Sequence, residues 1–302
     1  MAGIEALDIA AVRLSHPDKV LYPEQEITKR QLAEYYVAVA EAMLPHVARR
    51  PLTLVRCPAG RARKCFYQRH AGSGVPQTLG QVEIKGFEAS GAYLFIRDLR
   101  GLVALTQMGV LEIHSWGAMV DRPDRPDRII FDLDPGEGVG FEAVVTAAHE
   151  VRARLGTLGL ESFAKTTGGK GLHVVVPIDR RQEWAQAKGF AKAMAEALAT
   201  AAPDRFVTRI AKSERRGRIF IDYLRNDPTS TAVAPYSTRA RPGAPVATPL
   251  DWREVTPELD PADFTLSSVP ARLARLRRDP WSDLLRVRQR LPPLEMGRER
   301  AR

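Results

Sequence analysis

Apolar residues recur at helical spacing after Thr28: Leu32, Tyr35, Tyr36, Val39, Met43 and Val47 repeat every three or four positions. Thr28 followed three residues later by Gln31 is a capping-box pair, so a helix is predicted over about 29–49. Beyond Pro51 the pattern changes. LTLVR (52–56) and FYQRH (66–70) read as strands on either side of a polar run, and further short strands are expected around 92–97 and 102–106. LEIHSW carries His114 on another expected strand, which makes the first 120 residues a mixed α and β unit.

The centre of the chain alternates more regularly. RIIFDLD (128–134) is β-like and stops at Pro135 and Gly136, and a helix is predicted over about 140–157 from Phe141, Val144, Val145, Ala148, Val151 and Leu155. A strand near 161–166, the glycine loop GGKG, the strand LHVVVP (172–177), a helix over about 183–200 and strands near 206–210 and 218–223 follow. The order β-α-β-β-α-β is that of ferredoxin-like domains. Seven prolines between 227 and 263 predict irregular, packed loop, and a short basic helix is expected at 268–278. RQRLPPLEMGRERAR is expected to fray.

Composition adds little to the fold and more to the partner. With 44% hydrophobic and 27% charged residues in 302, the chain is an ordinary globular protein in composition. No run approaches the roughly eighteen apolar residues of a membrane span, and the N-terminus lacks an apolar signal core, so a cytoplasmic, nucleoid-associated protein is expected. Cys57 and Cys65 match neither a zinc knuckle nor a CxxC pair, and free thiols are expected. A net charge of +9 makes phosphate the natural partner, although arginine richness also serves solubility.

Candidate chemistry centres on aspartates. Strand alternation points Asp132 and Asp134 to the same side of RIIFDLD, where two carboxylates in an apolar strand need a compensating cation. Asp222 closes a second apolar strand, RIFIDYLRN, and a third carboxylate would complete a two-metal site; a solvent-facing strand end is the plain alternative. Between them, KTTGGKGLHVVVP offers backbone approach to phosphate through its glycines, a mobile charge on Lys170, and donors on Thr167 and His173. It is not a P-loop, because Gly171 follows Lys170 and the loop leads into a strand; a glycine-rich hairpin is the alternative. His114 reads as a core histidine or a site residue, and Arg239 as a triphosphate clamp or a surface ion pair. Phe66 and Tyr67 lie within a basic run, a composition suited to base stacking.

Taken in order, HPDKVLYP, DLDPGEG, TTGGKGLHVVVP, RIFIDYLRN, APYSTRARPGAP and ATPLDW resemble the polymerase domain of bacterial DNA ligase D, in the archaeo-eukaryotic primase superfamily. The likeness runs from about Val12 to Leu291. It implies an α+β primase-polymerase fold: a ferredoxin- or RRM-like βαββαβ catalytic core (about 121–270) on an N-terminal α/β subdomain (about 12–120), with a basic C-terminal segment (271–291) in one domain over 1–291 and a flexible tail at 292–302. It also implies a primase-like nucleotidyltransferase, a DNA-dependent DNA/RNA polymerase that extends 3′ ends and fills gaps at double-strand breaks in non-homologous end joining. Two manganese or magnesium ions are implied on Asp132, Asp134 and Asp222, with the incoming NTP or dNTP bound by His114, Thr167, Lys170, His173 and Arg239. Lys19, Lys29, Arg56, Phe66 and Tyr67 match positions that grip gapped or 3′-overhang DNA and its 5′-phosphate, and Ku and an ATP-dependent DNA ligase are candidate partners. Thr167 and Tyr67 stand where the family often has Ser and Phe, changes that keep the hydroxyl and the ring. No KxDG-type ligase motif is present.

Two other readings use the same residues. A metal-dependent nuclease or phosphoesterase could employ the three carboxylates but has no use for a triphosphate clamp at Lys170 and Arg239. An end-binding scaffold would use the basic face and gain nothing from aspartates beside phosphate.

Overall fold

A computed structural model describes residues 6–84, 86 and 91–292. The expected flexible tail lies outside the described residues except for Pro292. Chain order begins with β1 (Ala6–Ile9), β2 (Val12–Ser15), β3 (Val20–Tyr22), β4 (Ile27–Thr28), α1 (Lys29–Val47), β5 (Leu52–Arg56), β6 (Phe66–Gln68), β7 (Gly80–Val82), β8 (Tyr93–Phe95), α2 (Leu99–Gln107) and β9 (Val110–Ser115). It continues with β10 (Arg128–Pro135), α3 (Phe141–Thr157), β11 (Phe163–Thr166), β12 (Leu172–Pro177), α4 (Trp184–Ala201), β13 (Phe206–Val207), β14 (Ile219–Asp222), β15 (Ala232–Val233), β16 (Pro249–Leu250) and α5 (Ser268–Arg275).

α1 starts where its capping box predicts. The Thr28 hydroxyl accepts from the Gln31 backbone N–H at 3.3 Å and the Gln31 side chain accepts from the Thr28 N–H at 2.8 Å. Leu32, Tyr35, Tyr36, Val39, Met43 and Val47 are its buried face. The strand expected at 102–106 is instead the middle of α2. Asp98 caps it by accepting from the Gly101 N–H, and Leu102 to Thr106 are buried all round against α1, β2 and β9, so the apolar run has no polar face from which periodicity could be read.

The central sheet has the order β13-β14-β10-β12-β11-β16. Its four inner strands, β14-β10-β12-β11, are antiparallel neighbours and reproduce the ferredoxin-like arrangement of βαββαβ. Alternation along β10 divides two environments. Ile129, Phe131 and Leu133 enter the main core shared with α3 and α4, while Ile130, Asp132 and Asp134 face the other way. A second sheet, β15-β9-β5-β6, carries His114.

The proline-rich stretch is mostly irregular yet tightly packed: Tyr236, Ser237, Thr238 and Thr248 are fully buried, and β15 and β16 within it each extend a sheet. The segment read as fraying from 288 is held further than expected. Trp281 is buried with its indole N–H donating to the Ala164 carbonyl at 2.8 Å, and Gln289 donates to the carbonyls of Glu161 and Pro177.

The expectation of free thiols is corrected, since Cys57 and Cys65 form a disulfide. Spacing alone hid it. Cys57 follows β5 and Cys65 precedes β6, and the antiparallel pairing of these strands brings the two α-carbons to 4.3 Å.

Candidate active site

In register across the central sheet, Asp132 pairs with Asp222 on one side and His173 on the other, and His173 pairs with Lys165. Four polar side chains thus lie in one row over adjacent strands, all of them buried. Asp132 Oδ1 lies 3.4 Å from His173 Nε2, and Arg225 Nε lies 3.0 Å from Asp222 Oδ2 and 3.5 Å from Asp132 Oδ2.

The electrostatics are those of crowded negative charge. Burial opposes ionisation of Asp132, but His173, Arg225 and Lys165 outweigh it and hold the carboxyl at about 2. Asp134 goes the other way, pushed up to about 6 by burial and by the charge of Asp132. Asp222 is likewise raised by burial, against the pull of Arg225. Burial and Lys165 lower His173 to about 4, which leaves a neutral imidazole at physiological pH.

Oxygen donors and excess negative charge suit a hard divalent cation, and Asp132 Oδ1 is a buried oxygen with no hydrogen-bond partner. Among the described residues, however, no three His, Cys, Asp or Glu side chains converge closely enough to hold a metal ion in this conformation. Arg225 supplies the counter-charge between Asp132 and Asp222.

Asp132 and Asp134 open onto a cavity of about 370 Å³ between the two sheets. His114, Thr167, Lys170, His173 and Arg239 line it as well, so all five expected nucleotide contacts come together there; Asp222 sits behind the wall, beside Asp132. The β11–β12 loop explains its glycines. At Gly168, whose φ is +63°, a Cβ would lie 2.6 Å from the Arg239 side chain, and at Gly171 it would lie 2.6 Å from the Leu133 carbonyl oxygen, so the loop packs against Arg239 at one point and the aspartate strand at the other only without side chains there. Thr167 is buried, its hydroxyl donating to the Gly171 carbonyl at 3.1 Å, and its own carbonyl accepts from the Arg239 guanidinium.

The expected DNA contacts lie elsewhere and do not line this cavity. Phe66 and Tyr67 are 42% and 74% exposed on the edge strand β6, pointing to opposite faces. The Arg56 guanidinium stands 5.4 Å from the Phe66 ring centre. Lys29 is buried, with Nζ donating to the Ser15 carbonyl at 2.7 Å, and burial together with the nearby charge of Lys19 lowers its pKa.

Several residues at the site escaped the sequence reading. Arg215, Arg225 and Arg241 also line the cavity, and Glu112 and Lys165 stand behind it. Arg225 follows Asp222 by three positions and Glu112 precedes His114 by two on a strand, spacings visible in the sequence. Lys165 had no such signal, because its neighbour His173 is on another strand.

A family profile described as "LigD, primase-polymerase domain" matches residues 28–281. The chain belongs to this family. Among LigD relatives, the multifunctional non-homologous end joining protein LigD of Pseudomonas aeruginosa is 38% identical over 96% of this chain and 35% of its own length. The bifunctional LigD of Bacillus subtilis is 29% identical over 85% of this chain and 42% of its own. The chain therefore spans well under half the length of these relatives. The polymerase domain of Mycobacterium tuberculosis ligase D, solved in complex with DNA, superimposes with a TM-score of 0.85 at 34% identity, covering 90% of this chain and 97% of that one. The expected primase-polymerase fold is the observed one. No helix among the described residues is long and apolar enough to cross a membrane.

Proposed function

We propose that this chain is a nucleotidyltransferase, a primase-type DNA-directed polymerase over 1–291 that extends 3′ ends and fills gaps at double-strand breaks in bacterial non-homologous end joining. One observation carries the reading: the carboxylates of Asp132 and Asp134 and the cations Lys170, Arg239 and Arg241 line a single cavity. A hydrolase acting on a phosphodiester needs the acidic half of that pair, whereas a triphosphate needs both. The basic half therefore favours polymerase over nuclease.

Asp132, Asp134 and Asp222 would hold two divalent ions, manganese or magnesium, which supply activation of the primer 3′-hydroxyl and neutralise the departing pyrophosphate. Lys170, Arg239 and Arg241 balance the triphosphate charge, with Arg239 presenting a planar fork and Lys170 a mobile point charge. His173 stays neutral and holds its position beside Asp132. Exposed Phe66 and Tyr67 offer faces for unpaired bases, and the charge of Lys19 is felt at Lys29, which supports a shared role for the two on a 5′-phosphate of gapped or overhanging DNA. Ku and an ATP-dependent ligase are the partners this role calls for.

The test is primer extension with manganese on a gapped duplex, with and without nucleotides. Lengthening that requires nucleotides and disappears in Asp132→Ala and Asp134→Ala, with DNA binding retained, is the expected result. Shortening without nucleotides would establish the nuclease instead.

A further inference from the structure

We infer that Glu112 is the positioning residue of the nucleotide pocket, a single carboxylate behind its wall that aims both His114 and Arg239 into the cavity. This rests on reading the cavity as a nucleotide site. Glu112 is 7% exposed on β9 and does not line the cavity, whereas His114 and Arg239 do. Its Oε2 lies 2.8 Å from His114 Nε2 and 3.0 Å from Arg239 Nε, while Oε1 accepts from the Ala240 backbone N–H at 2.9 Å. One side chain thus ties β9 to a segment more than 120 residues later, and it holds that segment by both its guanidinium and its backbone.

His114 shares a face of β9 with Glu112, and burial lowers its pKa, so the ring is a neutral imidazole. With Nε2–H donating to the carboxylate, the acceptor lone pair is left on Nδ1. Arg239 is held by charge at Nε, which lies 3.0 Å from Glu112 Oε2 but is not aligned for a hydrogen bond, and by a hydrogen bond from Nη1 to the Thr167 carbonyl, so the two contacts together keep the guanidinium between β9 and the β11–β12 loop. Burial opposes the charge on Glu112, yet His114 and Arg239 hold its carboxyl at about 2, so it is ionised throughout the working range. A carboxylate needed only for packing has no reason to engage two groups that both face the cavity.

The experiment measures equilibrium binding of ATP, with manganese chloride present and no DNA, to the whole chain. Wild type binds ATP, and Glu112→Gln binds it on the order of 10- to 100-fold more weakly, while affinity for gapped DNA changes less than threefold. The deciding comparison repeats the substitution in an Arg239→Ala background. There Glu112→Gln costs at least threefold less than in the wild type, because one of the two groups it positions is already gone. Should Glu112→Gln fail to fold, Glu112→Asp takes its place in the same cycle: it keeps the charge but is one methylene too short to reach both partners. Equal losses in the two backgrounds, or ATP affinity within threefold of wild type, overturn the inference. Absence of ATP binding by the wild type overturns the nucleotide reading itself.

Discussion

Replacing Asp134 by asparagine removes one of three crowded carboxylates, and in the metal-free protein this is expected to stabilise the fold while ending catalysis. Burial and the charge of Asp132 raise the Asp134 carboxyl from 3.8 to about 6. A carboxyl whose folded pKa lies above its unfolded one contributes stability below the unfolded value and loses it as pH rises through the folded value. At roughly 1.4 kcal/mol per pH unit, the rise corresponds to a penalty near 3 kcal/mol at neutral pH. Asp134 is only half-buried, so solvent screening reduces the expected gain in Asp134→Asn to about 1–3 kcal/mol. Urea unfolding in EDTA at pH 8, followed by circular dichroism, measures it. Repeating the titration at pH 4.5, where the folded wild-type carboxyl is largely protonated but the unfolded one is not, should shrink the difference to about a third, and it closes only below the unfolded value of 3.8. Manganese should reverse the order at pH 8, since only the wild type keeps all three negatively charged carboxylates. A variant less stable than wild type in EDTA at pH 8, or a difference that does not change with pH, would refute the reasoning. Functional sites are where such trade-offs collect.

Asp127 makes the opposite case. Burial works against its charge, but Arg50 and Arg128 hold it at about 2, so its contribution is full above about pH 4 and is lost as pH falls toward 2. Asp127→Asn leaves two buried guanidinium groups without their carboxylate and is expected to cost about 3–5 kcal/mol in urea unfolding at pH 7. Reduction by excess dithiol, or paired Cys57→Ser and Cys65→Ser substitution, should lower stability by about 2–3 kcal/mol from the short loop alone; no change would place the cysteines outside the stabilising framework. Lys19→Ala should abolish any preference for gapped DNA carrying a 5′-phosphate over the same gap without it, measured by fluorescence anisotropy at fixed salt. Equal wild-type affinity for both substrates would count against Lys19 and Lys29 in that role.

Local rules made much of this protein readable. Alternation placed Asp132 and Asp134 on one side of β10, a capping box started α1, and the order of strands and helices implied the sheet order that β14, β10, β12 and β11 adopt. Each of these depends on residues a few positions apart, where backbone geometry dictates which side chains share a face. The same rules failed at α2, whose apolar run is buried on every side and so carries no periodicity.

What only the tertiary structure decided involves residues far apart in sequence. The second sheet set against the first brings His114 to the aspartate strand and encloses the cavity, and the antiparallel pairing of β5 and β6 joins Cys57 to Cys65. Strand pairing lays Asp222, Asp132, His173 and Lys165 in one row, where His173, Arg225 and Lys165 draw Asp132 down against its burial, while burial and the charge of Asp132 push Asp134 up. The reach of Glu112 to Arg239 spans 127 positions of chain. Charge interactions act through space with strengths set by burial and separation, so a sequence can name the charged groups of a site while the fold alone determines how strongly each one feels the others.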